Sequence, residues 1–397
     1  MTPDESVALT KLARWQRTSL LIGGAGVLLL GVGFVLDREQ ALRSYLFAYV
    51  YWIGMALGSL GILLLHHTVG GKWGMVIRRM CEAGSRTLPY MAVLLIPILL
   101  SIPTLYPWAK PEALQDANIQ AKTGYLNIPF FLVRVLIYFL VWTFYAWRLS
   151  KWSALQDTTN DRTSAEIYIT KMRAVSAPGL VVFVFITTFA FIDWVMSLEP
   201  HWFSTIYGVM FVVGQVLESF AFVIALLIVL SKWPPLKDHV TVQHLHDLGN
   251  LMFAFMVLWA YLSFSQFLII WAGNLPDENP WYLRRLRGGW EWVALALVVF
   301  HFATPFVLLL MRKVKRHADR LIKVCLLMIV IRIVDVYWVV EPAFYQQQVR
   351  VHWLDFVTPV AIGGLWLALF LGQLKSRPLL PLKDPRLQGV PRETVAF

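Results

Sequence analysis

Cysteine is nearly absent from this sequence. Its two examples in 397 residues, Cys81 and Cys325, are too few for a disulfide framework, a zinc site or an iron–sulfur cluster. No CxxCH stretch offers covalent haem attachment, and no Walker loop, HExxH or GxGxxG stands in a suitable context. Charge is scarce too: Asp, Glu, Lys and Arg make up 15% of the chain against 58% hydrophobic residues. A water-soluble domain cannot hide that much apolar side chain beneath so little charge. The formal charge of +11 does not point to nucleic acid, because most Lys and Arg sit in short loops between apolar runs. The N-terminus is acidic and no small-x-small cleavage site follows the first apolar run, so that run reads as a permanent helix rather than a removed signal.

What is abundant is apolar sequence in runs that match a hydrocarbon core about 30 Å thick. Ten such runs are expected, near 19–36, 45–65, 88–105, 128–147, 178–198, 203–230, 248–271, 292–311, 321–340 and 356–374. The fold class is therefore an all-α integral membrane protein of about ten transmembrane helices. Residues 1–18 form an N-terminal segment, 19–374 the membrane domain and 375–397 a C-terminal tail. The N-terminal side of these runs collects 24 Lys and Arg and the opposite side 8, with Arg134, Lys323 and Arg332 inside runs. That bias places both termini in the cytoplasm. Leu9, Leu12 and Trp15, with Lys11, Arg14 and Arg17 beside them, read either as a short interfacial helix against anionic lipid or as a solvated topogenic cluster. The Pro- and charge-rich stretch 377–397 reads as extended, partner-bound or mobile.

A membrane b-type haem needs two histidines at one depth, and of nine only His301 lies near a run's centre. A haem held by two imidazoles is thus disfavoured, and His301 reads as a core histidine or a proton carrier. His244, His246 and Asp247 do not share one helical face, and Asp247 is placed to cap the helix that follows. No metal site is expected in this chain.

Arg134, Asp193, Glu218, Arg332 and Asp335 fall well inside apolar runs. At roughly 2.5–3.5 kcal/mol each, five uncompensated charges would cost on the order of 15 kcal/mol, so they must be paired, neutralised or wetted. Arg332 and Asp335, three apart, share a helix face. Either these groups form buried pairs that fix helix register, or the carboxyls relay protons. The candidate proton path is Asp193, Glu218, Arg332, Asp335 and His301. Asp193, Glu199 and His201 make a second candidate cluster at the outer end, where Glu199 has Arg284, Arg285 and Arg287 as prospective partners.

Several longer blocks carry a resemblance. RSYLFAY (43–49), VIRRMCEAGSRTLP (76–89), DWVMSLEPHWFSTIYG (193–208), HLHDLGNLMFAF (244–255) and YLSFSQFLIIWAGNLPDENPWYLRRL (261–286) resemble the ActF-type membrane subunit of bacterial alternative complex III, in the wider NrfD- and polysulfide-reductase-anchor-like superfamily. The resemblance implies two four-helix bundles, spans 2–5 and 6–9, with spans 1 and 10 peripheral. It implies a membrane subunit of a quinol:electron-acceptor oxidoreductase in the bacterial inner membrane, in respiratory or photosynthetic electron transfer. Such a chain binds no metal cofactor. Quinone or menaquinone belongs to the complex, and c-type haem and iron–sulfur clusters sit on outer partner subunits beside a paired NrfD-like membrane subunit. Its role is then scaffold and candidate proton-translocation path. The alternatives are a quinol-binding subunit in its own right, with Asp193, Glu199 and His201 at the site, and an independent secondary transporter.

Overall fold

A computed structural model describes residues 3–159 and 161–387, and among these every regular element is helical. Helix α1 runs unbroken over Pro3–Leu36, so 7–18 continue the first membrane helix rather than forming a separate interfacial one. Its Leu12 is fully buried, and Lys11 lies 4.0 Å from the Trp233 ring. Helix α2, Arg38–Val69, starts where Asp37 accepts a hydrogen bond from the Gln40 N–H. After α3, Arg78–Ser85, the expected third span appears as three short helices: α4 (Leu88–Leu94), α5 (Ile96–Leu99) and α6 (Ile102–Leu105). Pro89, Pro97 and Pro103 each stand in the first two positions of one of them. Proline is tolerated there but breaks a helix it interrupts, so the chain restarts at each one.

The short α7 (Ala117–Gln120) leads to α8 (Ile128–Asp157) and α9 (Arg162–Trp194), capped by the Asn127 and Asp161 side chains. Helix α10 spans Tyr207–Leu230, and α11 (Leu236–His239) precedes α12 (Val242–Gly273). Here the cap is Thr241, in a reciprocal capping box with His244, and not Asp247 as the sequence suggested. Then follow α13 (Asn279–Arg285), α14 (Trp290–Ala296), a π-helical turn at Leu297–Ala303 and α15 (Thr304–Leu310). Pro305 has no N–H to give the His301 carbonyl one turn back, and the helix widens there, as interrupted hydrogen-bond ladders do. Helices α16 (Arg312–Arg316), α17 (Ala318–Val340) and α18 (Leu354–Lys375) complete the fold.

Eight of these helical segments are long and apolar enough to cross a membrane. The other two expected spans are the broken run α4–α6 and α17, which is 23 residues long but carries Asp319, Arg320, Lys323, Arg332 and Asp335. Helices α2 and α10 are mostly buried and cross each other at the centre. Around them α2 meets α9 and α18, and α10 meets α12 and α17. Leu21, Leu28, Val35, Phe264 and Trp271 each leave 60% or more of their surface uncovered on the outer helices. Apolar faces of that extent are stable against lipid and not against water, so this is a multi-pass membrane protein.

Helices α1 and α18 pack along each other at the periphery. A Cβ on Gly23 would stand 2.6 Å from the Leu365 nitrogen, and one on Gly26 2.7 Å from the Ala361 Cα. Small residues allow this approach where lipid supplies no hydrophobic drive for association. The start of the C-terminal tail, expected to be extended or mobile, is docked: Leu379, Leu380 and Asp384 are buried. Residues 388–397 of that tail lie outside the described residues, as do Met1 and Thr2.

Candidate functional site

Four helical segments bring polar groups to one buried place. Helix α10 supplies Gln215 and Glu218, three residues apart and so on one face. They face α2, where glycines make the room: a Cβ on Gly54 would lie 3.1 Å from Glu218 Oε2, and one on Gly58 only 2.0 Å from the Gln215 carbonyl oxygen. From α17 come Arg332 and Asp335, in direct hydrogen-bond contact with each other. The Arg332 guanidinium crosses to α10 over Gly214, whose added Cβ would meet it at 2.5 Å. Its Nε then lies 3.7 Å from Glu218 Oε2.

The π-helical turn contributes His301, with Nδ1 3.8 Å from Asp335 Oδ2. Trp259 of α12 covers the imidazole, ring centroids 3.8 Å apart. Thus Glu218, which has no arginine close in sequence, shares Arg332 with Asp335. One guanidinium faces two carboxyls, so a single proton taken up by the pair balances the site.

The polar atoms here are only partly paired. Both Glu218 oxygens, both Gln215 side-chain polar atoms, both His301 nitrogens and Arg332 Nε are buried without a hydrogen-bond partner. Each such atom costs about 1–3 kcal/mol, and buried polar groups are otherwise nearly always satisfied. Packing alone does not explain why they gather at one level of four helices.

Asp193 lies elsewhere and is fully engaged. Arg134 grips both its oxygens, Nε–Oδ2 2.7 Å and Nη2–Oδ1 3.0 Å, and the Tyr138 hydroxyl donates to Oδ2 at 2.6 Å. Arg134 also donates to the Tyr125 carbonyl and lies 3.8 Å from that ring. The three members of the expected outer cluster take separate partners. Glu199 receives Arg284 at 2.7 Å and Arg285 at 2.8 Å, two of the three arginines expected for it. His201, more than half exposed, is 3.1 Å from Asp116.

Sequence reasoning missed a buried ionic network at the end of the bundle that holds the N-terminal extension. Glu82 of α3 binds Arg78 at 3.0 Å and Arg79 at 2.8 Å, with the Ser153 hydroxyl also donating to it. Arg79 continues to Asp157, and Arg78 to Gln156 and Asp384. Burial alone would raise the Glu82 carboxyl, but Arg79 and Arg78, with the Ser153 hydroxyl, hold it down at about 2. The i,i+4 spacing of Arg78 and Glu82 is the one signal that could have found this pair; its partners on α8 and the tail are far away in sequence. Glu341, beside the end of α17, was also missed: it is buried and both its oxygens lack a hydrogen-bond partner.

Among the described residues no three His, Cys, Asp or Glu side chains converge as a metal would need. Two clefts open on the side opposite the Glu82 network. One of about 360 Å³ is lined by Glu39, Arg43, Thr104 and Lys110; the other, about 410 Å³, by Phe267, Trp271, Asn274, Asn279 and Tyr282. No family model matches the sequence, and no curated protein matches it.

Proposed function

We propose that this chain is a membrane subunit of a quinol-oxidising electron-transfer complex, resembling the ActF-type subunits of alternative complex III, and that Glu218, Arg332, Asp335 and His301 are the centre of a proton path through it. The observation that carries the proton role is the gathering of only partly paired ionisable groups around a single arginine, next to a widened helix turn, in the interior of a lipid-facing bundle. The five sequence blocks support the family. In this reading the broken run α4–α6 and the charged α17 join the eight apolar segments to make ten spans. Helices α2, α4–α6, α8 and α9 form one four-helix bundle, and α10, α12, α14–α15 and α17 the other, meeting where α2 crosses α10. The bacterial inner membrane holds the protein with both termini in the cytoplasm. Outer partner subunits carry c-type haem and iron–sulfur clusters beside a paired NrfD-like membrane subunit, and the chain itself binds no metal cofactor.

Asp193 belongs to the framework here, because Arg134 and Tyr138 already occupy its oxygens. The same separation of partners argues against Asp193, Glu199 and His201 acting together on a quinol. A secondary transporter is the second reading, favoured by one observation: the irregular helices at 88–105 and 297–303 interrupt two spans, as transporter binding sites do. Mild solubilisation of the tagged chain, with mass spectrometry and a reduced-minus-oxidised spectrum, separates the two. Co-purifying haem-c bands and a second membrane subunit are expected; a clean single chain without haem would sink the complex and promote the transporter. In an assembled complex, Glu218→Gln is expected to lower proton coupling while subunit stoichiometry stays intact. Unchanged coupling would remove Glu218 from the path.

A further inference from the structure

At the inner end of α2 two adjacent histidines, His66 and His67, are buried at 1% and 4% exposure. Both ring nitrogens of His66 and Nε2 of His67 have no hydrogen-bond partner. Their ring centroids are 5.3 Å apart, and the Trp73 ring lies at the same distance from His66. The chain passes so near at Gly74 that a Cβ there would stand 2.0 Å from His66 Nδ1. The pair is thus walled on one side by the 73–74 turn, and the charged groups of the Glu82 network stand within electrostatic reach of it. The charges that act on His66 are those of Arg386, Arg78, Asp384 and Glu82.

Two of those four belong to the C-terminal tail, which comes back over this end of the bundle. Arg377 donates to the Ser150 carbonyl at 2.7 Å and lies 3.6 Å from Glu82. Leu379 and Leu380 are buried, and Leu387 nearly so. Asp384 is fully buried, 3.1 Å from Arg78 and 2.8 Å from Arg386, with the Gln156 amide at 3.4 Å. Leu380 and Asp384, one apolar and one charged, fix the segment at two points.

We propose that residues 377–387 are a strap that seals the His66–His67 pair and the charges around it from solvent, with the Asp384 carboxylate as its catch. The strap is held by a handful of side chains, whereas the network beneath it is tied to α2, α3 and α8. Loss of the catch therefore frees the strap before the helices move. Arg78 keeps Glu82 as a partner when Asp384 is neutralised, so the network survives the change. The inference stands on the docking of the strap onto Arg78, Glu82, Ser150 and Gln156 and on the burial of the histidine pair beside that network, and does not depend on the electron-transfer reading.

Histidine-directed acylation with diethyl pyrocarbonate tests it, since the reagent attacks an unprotonated, unpartnered ring nitrogen. The full-length protein in mild detergent is treated and its peptides are read by mass spectrometry. In the unaltered chain the exposed His201 and His317 should be modified while His66 and His67 stay protected. In Asp384→Asn, and separately in Leu380→Asp, modification of His66 or His67 should rise at least tenfold, and trypsin should cut after Lys383 at least tenfold faster. His301, in the bundle interior, should remain unmodified and marks an intact fold. As a second route that leaves the fold unaltered during synthesis, a protease site inserted between residues 381 and 382 is cut after purification and should give the same gain. Modification of the pair in the unaltered chain would overturn the seal. Continued protection in a chain whose strap is cut would overturn it as well. A trypsin-resistant strap in Asp384→Asn would overturn the catch.

Discussion

Asp193→Leu is the substitution whose cost follows most directly from the geometry. It leaves the Arg134 guanidinium, only 8% exposed, with the Tyr125 carbonyl and ring as its remaining partners and takes the acceptor from the Tyr138 hydroxyl. Removing one member of a buried ion pair costs about 3–5 kcal/mol, because the other charge stays behind uncompensated. At 1.36 kcal/mol per factor of ten, the unfolded fraction should rise by roughly two to three and a half orders of magnitude. Arg134→Met together with Asp193→Leu removes both charges and should come back to within about 1–2 kcal/mol of the original. With about 3–5 kcal/mol for either single change, the cycle should therefore show a coupling of at least about 4 kcal/mol between the two positions. Reversible unfolding in mixed micelles, followed by tryptophan fluorescence, measures all four species; Trp194 adjoins the pair in the chain. A single-substitution cost below about 1 kcal/mol, or a double variant as unstable as the sum of its parts, would refute the framework role. Asp193 would then return to the proton path.

Other outcomes follow from the same contacts. Gly58→Ala places a methyl 2.0 Å from the Gln215 carbonyl oxygen where α2 crosses α10. It should cost at least the 1–3 kcal/mol of an overpacked core, whereas Gly24→Ala and Gly31→Ala, with open space around them, should leave thermal stability unchanged in the same melt. The Glu82 carboxyl titrates lower in the folded chain than its ordinary 4.5, at about 2. Its stabilising effect is therefore complete above pH 4.5 and is lost as the pH falls towards 2. Thermal melts across that range should show a decline that Glu82→Gln flattens, and equal slopes in the two proteins would contradict the network. Arg332→Gln removes the only cation among Glu218, Asp335 and His301. On the proposed function it should lower proton coupling more than Asp193→Asn does, measured as acidification per turnover of the complex; the reverse order would exchange the roles of the two sites.

Much of this was legible in the residues because a bilayer imposes length and polarity on whatever crosses it. The apolar runs, the scarcity of charge and the lysine and arginine bias are properties of short windows, and a window needs no neighbours to be read. The Arg332–Asp335 contact was legible for the same reason, since three residues on a helix fix which side chains meet. Of the three arginines that the sequence offered Glu199, two, Arg284 and Arg285, are its partners.

Where windows failed, the cause was a long-range contact or a local break. Three prolines turned one expected span into three short helices, and Pro305 widened another around His301; composition alone is blind to both. Arg332 reaches Glu218 across more than a hundred residues because Gly214 leaves room for it, and Asp193 finds Arg134 from a different helix. Asp384 returns from the tail to Arg78. By itself the sequence determined that the chain is a membrane protein of many helices with costly charges in its interior. Only the tertiary structure decided which of those charges are paired and which are left open, because pairing depends on helix crossings set by glycines and by packing far away along the chain.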